Sequence, residues 1–316
     1  MKTDGARALL ALLRKAPGPL SGADLARRFG ISRAAVHKRI EKLRAVGHRV
    51  TGTPRMGYRL RAGADGFDAV PLHGFAGPLL HRPVVPSTQD EVKNRAARGA
   101  PEGLIVVADR QRAGRGRRGR VWSSPAGGLW YSILLRPAAA PAHAPSLALV
   151  AALDWADTLR ARGVPAGVKW PNDVWADGKK IGGVLTEMAL EPDRVQWMVL
   201  GIGVNVNNRA PVIPGVGTGA VRDWAGPTPR GELLSEWLAR FARSYVRHAR
   251  GGFAPFQRAY NTRSVLNGCW VTGVGPDGPV RGRALGVDPA GRLRLSAAGR
   301  TIAVVGGDVV LLRPAR

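Results

Sequence analysis

Two apolar segments in the middle of the chain carry glycine pairs, and these pairs restrict what the segments can form. Residues 180–187 read KIGGVLTE, and residues 199–207 read VLGIGVNVN. Runs of Val, Ile and Leu are typical of buried strands, whereas glycine inside a strand usually marks close approach by another backbone or a ligand. We therefore predict two strands that a backbone or a ligand approaches closely at their glycines, the first entered through a hairpin turn at residues 177–179. Asn205 and Asn207 are expected on one side of the second strand.

A basic loop lies upstream of these strands. Residues 114–120 read GRGRRGR and follow a strand-like run at residues 104–108. The alternating glycines allow unusual backbone angles, and the four arginines offer bidentate forks that suit phosphate. The spacing is neither that of a P-loop nor that of a dinucleotide-binding turn. Three interpretations remain open: a site for a nucleic-acid backbone, a site for nucleotide phosphates, and a solvated basic loop.

Lys169 stands in an apolar strand context within residues 168–175, VKWPNDVW. A lysine held in this way presents a point charge to a carboxylate or a phosphate, although the segment alone could be an ordinary strand-to-turn connection. Together with the basic loop and the glycine strands, it describes a sheet floor that holds a nucleotide and a small acid. Positive charge there would align two anions that repel one another, as attack of a carboxylate on the α-phosphate of ATP requires.

The first 65 residues are strongly basic, with 15 Lys and Arg against 4 Asp and Glu. Ser21 and Ser32 are natural N-caps for two short helices, and Gly30 is expected to end the first of them. Residues 48–61 indicate a hairpin with a turn near residues 54–57. A helix, a turn, a second helix and a basic hairpin predict a winged helix-turn-helix.

The second of these helices would enter the major groove of DNA. The candidate DNA-binding residues are Ser32, Arg33, His37 and Lys38. One alternative is a small helical domain for protein contacts. Another is an inherited N-terminal domain, called the head below, that no longer binds a specific operator.

The whole chain bounds these interpretations. Its 316 residues predict two or three domains, and its net charge of +26 suits nucleic acid, although 40 of the 48 basic residues are Arg and composition alone is weak support. The single cysteine, Cys269, excludes an internal disulfide and is expected to fill a core. No run of about 18 apolar residues occurs, and the N-terminal apolar stretch lacks a signal cleavage site, so we expect a cytoplasmic protein without membrane contact.

The C-terminal region has a different pattern. Residues 268–313 alternate apolar and polar runs between turns at residues 277–278, 288–291 and 306–308, which predicts a small β-barrel. Residues 62–71 show neither helical nor strand periodicity and are interpreted as a linker.

The motifs GRGRRGR, KWPNDVW, KIGGVLTE and GIGVNVN, in this order and spacing, resemble those of the biotin–protein ligases. Residues 87–90, STQD, resemble that family's early biotin-contacting segment, and the head resembles that of bifunctional members that also repress the biotin operon. The resemblance covers nearly the whole chain and implies an α+β fold in four parts. These are a winged helix-turn-helix domain at 1–62, a linker at 63–71, a mixed-sheet α/β ligase domain of the biotin/lipoate ligase type at 72–266, and an SH3-like β-barrel at 267–316.

The resemblance also implies roles for individual residues. Lys169 would contact the reacting carboxylate and phosphate, and Arg117 would belong to the loop that closes over biotinyl-adenylate; both are the candidate catalytic residues. The implied biotin-binding residues are Ser87, Thr88, Gln89, Gln111, Arg115, Gly116, Arg117 and Lys169. The implied ATP- and adenylate-binding residues are Gly114, Arg118, Trp122, Asn172, Gly183 and Asn205. Gln89 stands where some relatives have Asn, a shorter amide with the same donors and acceptors.

The resemblance further implies ATP, biotin and Mg²⁺ as cofactors, without a dedicated protein metal site. The implied partners are a biotin carboxyl carrier protein and operator DNA, and a homodimer is expected when biotinyl-adenylate is bound. Residues 209–224, rich in Gly and Pro, are a candidate mobile loop over adenosine. A ligase for lipoate or another acyl group remains an alternative, as does a biotin-sensing DNA-binding regulator without catalytic activity.

Overall fold

The computed structural model of the chain describes residues 8–9, 12–13, 16, 18–45, 50–53, 55–60, 66–67, 70–138, 141–276, 278–304 and 306–311. Its first part is a helix-turn-helix unit with a hairpin. The helices are α1 (Gly22–Phe29) and α2 (Arg33–Ala45), and the antiparallel strands are β1 (Val50–Thr53) and β2 (Gly57–Leu60). Residue 54, in the predicted turn, lies outside the described residues.

Local hydrogen bonds explain where the two helices begin and end. The Ser21 hydroxyl accepts a bond from the Asp24 amide at 3.0 Å, and the Ser32 hydroxyl accepts one from the Ala35 amide at 3.1 Å. Gly30 ends α1 in the left-handed conformation. Both predicted caps and the predicted stop are therefore confirmed. The unit has a core of its own, formed by Leu9, Leu13, Leu25, Val36, Ile40, Leu43, Val50 and Tyr58.

The central part is built on a seven-stranded mixed sheet with the order β3-β4-β5-β9-β8-β7-β6, in which β3 and β4 are parallel and all other neighbours are antiparallel. The strands are β3 (Leu79–Val85), β4 (Ile105–Gln111), β5 (Leu129–Leu135), β6 (Ala166–Lys169), β7 (Asp173–Ala176), β8 (Lys179–Leu190) and β9 (Val195–Val204). The helices around it are α3 (Thr88–Ala96), α4 (Leu147–Arg160), α5 (Arg222–Ala225), α6 (Arg230–Gly251) and α7 (Gln257–Arg263).

Helices cover both faces of this sheet. On one face, α4 and α6 form an aromatic core in which the rings of Trp155, Trp237 and Phe241 stack in series. On the other face, Val92 and Ala96 of α3 pack with Val106 and Val199. Because side chains alternate along a strand, Gly201 and Gly203 continue the face that begins at Val199. Gly201 and Gly203 of β9 therefore lie on the same face of the sheet as α3, past the N-terminal end of that helix.

The C-terminal part is an antiparallel sheet with the order β13-β12-β11-β10-β14. Its strands are β10 (Trp270–Gly275), β11 (Gly278–Val287), β12 (Leu293–Ala297), β13 (Arg300–Ala303) and β14 (Gly306–Leu311). Within the described ranges, β13 and β14 are its two edges and no pairing joins them, so the predicted closed barrel is not seen. Residue 277, in the first predicted turn, lies outside those ranges.

The predicted linker and the C-terminal sheet both pack on the central core. Phe67 and Val70 of the linker segment are buried there, and the centroid of the Phe67 ring lies 4.9 Å from that of His81 and 5.1 Å from Cζ of Arg230. Val271, Val287 and other apolar residues of the C-terminal sheet belong to the same core cluster. Through these contacts the linker segment, the central part and the C-terminal sheet share one apolar core, although their sequence patterns differ.

None of the helices in the described part of the chain is both long and apolar enough to cross a membrane.

Candidate functional site

A cleft of about 910 Å³ opens above the α3 face of the sheet, between β8, β9 and the arginine loop of residues 114–120. Gly183 of β8 pairs with Gly203 of β9, and Leu185 pairs with Gly201, so the strand register places the glycines side by side on the floor. A Cβ atom on Gly203 would lie 2.4 Å from Nε1 of Trp122, and one on Gly201 would lie 2.6 Å from Oε1 of Gln89. The close approach expected at these glycines is made by two polar-tipped side chains, those of Trp122 and Gln89.

The end of the cleft at the start of α3 is polar and buried. The Thr88 amide and hydroxyl both donate to Oε1 of Gln111, at 2.8 and 3.0 Å, and the Thr88 hydroxyl also lies 2.8 Å from the Ser132 hydroxyl. Nε2 of Gln111 donates to the Ser124 hydroxyl at 2.8 Å. These groups are uncharged donors and acceptors, which suits recognition of a neutral polar ring rather than an ion.

The arginine loop forms one wall of the cleft. Arg115 bridges Val121 across the base of the loop, and the Gly116 amide donates to the Arg120 carbonyl at 2.7 Å. Arg117 lines the cleft and donates to Oδ1 of Asn172 at 3.4 Å. The loop therefore presents Arg117 inward, while Arg118, which has a positive φ of 57°, is exposed.

Two lysines line the cleft on strands that are close in space. Lys169 ends β6, and its Nζ lies 4.5 Å from the centroid of the Trp175 ring. Lys180 follows the first residue of β8, forms a 2.7 Å ion pair with Asp173 and lies 5.2 Å from the centroid of the Trp122 ring. Because Trp122 rests on the glycine floor, Lys180 brings a positive charge directly over that floor.

The cleft brings together most of the residues that the sequence predicted. Ser87, Thr88, Gln89, Gln111, Arg115, Gly116, Arg117, Trp122, Lys169, Asn172 and Gly183 all line it. Their individual roles stay predictions. Three other predicted adenylate residues, Gly114, Arg118 and Asn205, are not among the lining residues.

Asn205 lies elsewhere because β9 ends at Val204, so the predicted strand to residue 207 is too long. Its Nδ2 donates to the Gly219 carbonyl at 3.2 Å, and its Oδ1 accepts from Asn208 at 3.0 Å. Asn207 bonds to Thr228 instead. The two asparagines thus hold the segment after β9 in place rather than projecting from one side of a strand.

Several lining residues were not predicted from the sequence. Within the central part they include Asp173, Trp175 and Lys180, and the C-terminal sheet adds Trp270, Arg281 and Val310 at the margin of the cleft. Lys180 carried a usable signal, because it stands between the hairpin turn and the glycine pair in the KIGGVLTE segment. The C-terminal residues carried none, because they approach the cleft only through folding.

The described residues contain no group of three or more His, Cys, Asp or Glu that could hold a metal ion. Asp173 is the single carboxylate among the described residues that line the cleft. Nε1 of Trp122 is buried and has no hydrogen-bond partner within the described part of the chain. An acceptor atom on a ligand would satisfy that group.

In the head, the predicted DNA-binding residues lie in α2 and at its start. The Ser32 hydroxyl caps the helix, whereas Arg33, His37 and Lys38 are exposed. Nδ1 of His37 lies 3.1 Å from the hydroxyl of Tyr58 in β2, so this side chain also joins the helix to the hairpin.

Three family models match the chain in chain order. They are an HTH domain at residues 6–59, the biotin/lipoate A/B protein ligase family at residues 82–205, and the biotin protein ligase C-terminal domain at residues 271–312. Each match falls on one of the three parts of the fold.

Relatives and solved structures resemble the chain over most of its length. The bifunctional ligase/repressor BirA of Bacillus spizizenii is 34% identical over 288 residues, covering 87% of this chain and 89% of that protein. The protein of the same name in Escherichia coli is 31% identical and covers 92% of each. The biotin protein ligase of Aquifex aeolicus, solved with biotin and ATP, is 29% identical with a TM-score of 0.64, and the match covers 74% of this chain and 98% of that one. The chain therefore belongs to the biotin–protein ligases, in the bifunctional ligase/repressor group.

Proposed function

We propose that the chain activates biotin with ATP and transfers it to a lysine of a biotin carboxyl carrier protein. The observation that carries this proposal is the cleft itself, in which a buried uncharged polar end, a glycine floor and two lysines follow one another beneath an arginine loop. This order suits a ligand with a neutral polar ring at one end and a carboxylate at the other. The Aquifex aeolicus ligase, solved with biotin and ATP, and the biotin–[acetyl-CoA-carboxylase] ligase of Mycobacterium tuberculosis, which is 35% identical to this chain, support the same substrates.

Different residues of the cleft would bind biotin and stabilise the reacting phosphate. The Ser87–Gln89 segment and Gln111 would hold the uncharged ring of biotin, which leaves its carboxylate near the lysines. A carboxylate oxygen attacks the α-phosphorus of ATP, the bond to pyrophosphate breaks, and biotinyl-adenylate forms. Arg117, Lys169 and Lys180 would stabilise the negative charge that develops on the phosphate. In the second step the acceptor lysine amine attacks the acyl carbon, and AMP leaves with the bonding electron pair.

Several other residues would bind the adenylate or position the residues that do. Trp122 and Gly183 would form the floor beneath the adenylate, and Asn172 would position Arg117 through their hydrogen bond. Gly114, Arg118 and Asn205, outside the cleft lining, would act on the loops around the adenylate. Mg²⁺ usually takes one or two carboxylates together with substrate phosphates, so Asp173 would hold it, and when bound it neutralises the departing pyrophosphate.

Biotin-dependent exchange of labelled pyrophosphate into ATP tests the first step. We expect exchange with biotin and none above background with lipoate, because the buried polar end is complementary to a ring with several donors and acceptors. Exchange with lipoate alone would instead favour a lipoate ligase. Binding of biotin without any exchange would favour a sensor that lacks catalysis.

We further propose that residues 1–62 form a winged helix-turn-helix whose hairpin is the wing, that residues 63–71 link it to the ligase domain at 72–266, and that residues 267–316 are an SH3-like domain. Arg33, His37 and Lys38 would face operator DNA, with Ser32 at the start of the recognition helix. Biotinyl-adenylate would order the arginine loop, promote homodimerisation and so place two heads on a palindromic operator.

Operator affinity should therefore depend on ligand. With biotin and ATP present, we expect a dimer in sedimentation and at least about 10-fold tighter binding to the operator than without them, a typical coupling between two sites. Arg33→Ala is expected to weaken DNA binding without changing pyrophosphate exchange. Equal operator affinity with and without biotin and ATP would rule out the corepressor role.

A further inference from the structure

Four charged side chains form a network behind the cleft wall. The Arg115 guanidinium donates two bonds to the Asp90 carboxylate, at 2.7 and 2.5 Å, and lies 3.6 Å from Glu187. Lys93 forms ion pairs with the same two carboxylates, at 3.1 Å to Asp90 and 2.5 Å to Glu187. The side chains are between 29 and 38% exposed, so they are partly shielded from water.

Each end of this network is adjacent to a segment that lines the cleft. Asp90 follows Thr88 and Gln89 on α3, and Arg115 precedes Gly116 and Arg117 on the loop. Glu187 lies on β8, two residues beyond Leu185. The Leu185 carbonyl accepts a 3.4 Å hydrogen bond from Nε2 of Gln89. The network therefore connects the helix start, the base of the loop and a floor strand.

The Arg115 side chain is directed to this network, whereas its backbone bridges Val121 at the base of the loop. Residues 116–120 extend beyond that bridge as a short excursion in which Arg118 has positive φ. A loop of this kind has few apolar contacts of its own, so the stability of its base decides how long it stays in place.

We propose that Asp90 is a positioning residue of the ligase reaction, which fixes the base of the arginine loop against α3 and β8 through Arg115. The proposal rests on the proposed function and adds to it the group that sets the position of the loop. Asp90 does not line the cleft, so it acts on the ligand only through Arg115 and the loop.

Electrostatics agree with this geometry. The hydrogen bonds from Arg115 lower the pKa of Asp90 to about 2, despite the opposing effect of burial. Burial alone would lower the pKa of Lys93, but its bonds to Glu187 and Asp90 raise it above the ordinary value. The charges of Asp90 and Lys93 are thus both present from pH 5 to 9.

The test compares Asp90→Asn with Glu91→Gln in the full chain without ligands. Glu91 is the next residue of α3, and its carboxylate forms a 2.8 Å ion pair with Arg95 that does not involve the loop. Brief trypsin digestion, followed by mass spectrometry of peptides that end at Arg117 or Arg118, measures how often the loop opens. We expect about 5-fold faster cleavage in Asp90→Asn, and a rate within about 2-fold of wild type in Glu91→Gln. Asp90→Glu, which keeps the charge, should return the rate toward that of wild type.

Pyrophosphate exchange supplies a second measurement. Asp90→Asn should raise the KM for biotin about 5-fold and lower kcat less, because the segments that contact biotin lie on both sides of the network. Equal cleavage rates in Asp90→Asn and Glu91→Gln would overturn the proposal, as would an unchanged KM alongside faster cleavage. If wild type shows no exchange, the proposed function fails, whereas the trypsin comparison still decides whether Asp90 holds the loop.

Discussion

Lys180→Ala is expected to slow biotin-dependent pyrophosphate exchange by about 100- to 1,000-fold, the usual effect of removing one charge-stabilising group from an enclosed site. Lys180 lines the cleft, pairs with Asp173 at 2.7 Å and lies above Trp122, which itself rests on the glycine floor. A ligand phosphate entering that space would meet its ammonium group. Single-turnover formation of biotinyl-adenylate, measured with labelled ATP, separates this effect from product release.

The neighbouring residue supplies a matched control. Lys179 precedes Lys180 on β8 but is exposed and does not line the cleft, and its Nζ lies 5.8 Å from the centroid of the Trp224 ring. Lys179→Ala should leave the rate within about 2-fold of wild type, since the charge of an exposed side chain that does not line the cleft is screened by water and salt. Near-normal adenylation by Lys180→Ala would remove this residue from the mechanism.

Lys169→Ala should also slow adenylation. Comparing its rate of biotinyl-adenylate formation with that of Lys180→Ala shows which lysine contributes more to the first step. Lys169 was the residue that the sequence favoured, and it does line the cleft, beside Trp175. If the loss in Lys169→Ala exceeds that in Lys180→Ala, the reacting groups lie near the end of β6 rather than above Trp122.

The parts of the fold that sequence predicts well are those that depend on short-range bonds. Ser21, Ser32 and Gly30 act on amides and carbonyls within a few residues, so their cap and stop roles are readable without any tertiary information. The glycine pairs were likewise sufficient to predict close approach to the two strands, although not that the approaching groups are the side chains of Trp122 and Gln89. The closed barrel was not confirmed, because alternation along strands predicts their faces but not whether the outer two strands meet.

The site was less predictable where it depends on strand register. Gly183 faces Gly203 because of the pairing between β8 and β9, and the separate pairing of β7 with β8, which shifts register between Val174 and Trp175, brings Lys180 to Asp173. Asp173 lies four residues after Lys169 and seven before Lys180, and no local pattern indicates which of the two lysines its carboxylate will approach. Trp270 lines the cleft from a separate sheet, about 90 residues after Lys180 in the chain. Sequence spacing cannot predict a contact between residues so far apart in the chain.

Asp154→Asn is expected to stabilise the folded protein at pH 8 but not at pH 4. Asp154 lies on α4 and is 7% exposed; the Ser244 hydroxyl donates to its Oδ1 at 3.0 Å, and its Oδ2 has no hydrogen-bond partner in the described part of the chain. Burial raises the pKa of this carboxyl from 3.8 to about 7, with Asp157 acting in the same direction and Arg240 and Arg243 opposing it.

The pH dependence follows from proton binding. Between about pH 4 and 7 the folded state retains a proton that the unfolded state releases, so the contribution of this group to stability is complete below pH 4 and is lost as pH rises through 7. An Asn amide stays neutral at every pH and can keep the bond to Ser244. The variant should therefore exceed wild type by on the order of 2–4 kcal/mol above pH 7, a gain that corresponds to two or three pKa units.

Denaturant unfolding at pH 4 and pH 8, followed by the fluorescence of the tryptophans in the central core, measures this difference. Asp157→Asn is the control on the same helix, because Asp157 is 29% exposed and forms a 2.8 Å ion pair with Arg263. Loss of this ion pair should lower stability by up to about 1 kcal/mol, and because Asp157 also raises the pKa of Asp154, its removal has a partly offsetting effect; the net change should be smaller than that of Asp154→Asn. If Asp154→Asn changes stability equally at both pH values, Asp154 is already ionised in the folded protein at pH 4, and Arg240 and Arg243 outweigh its burial.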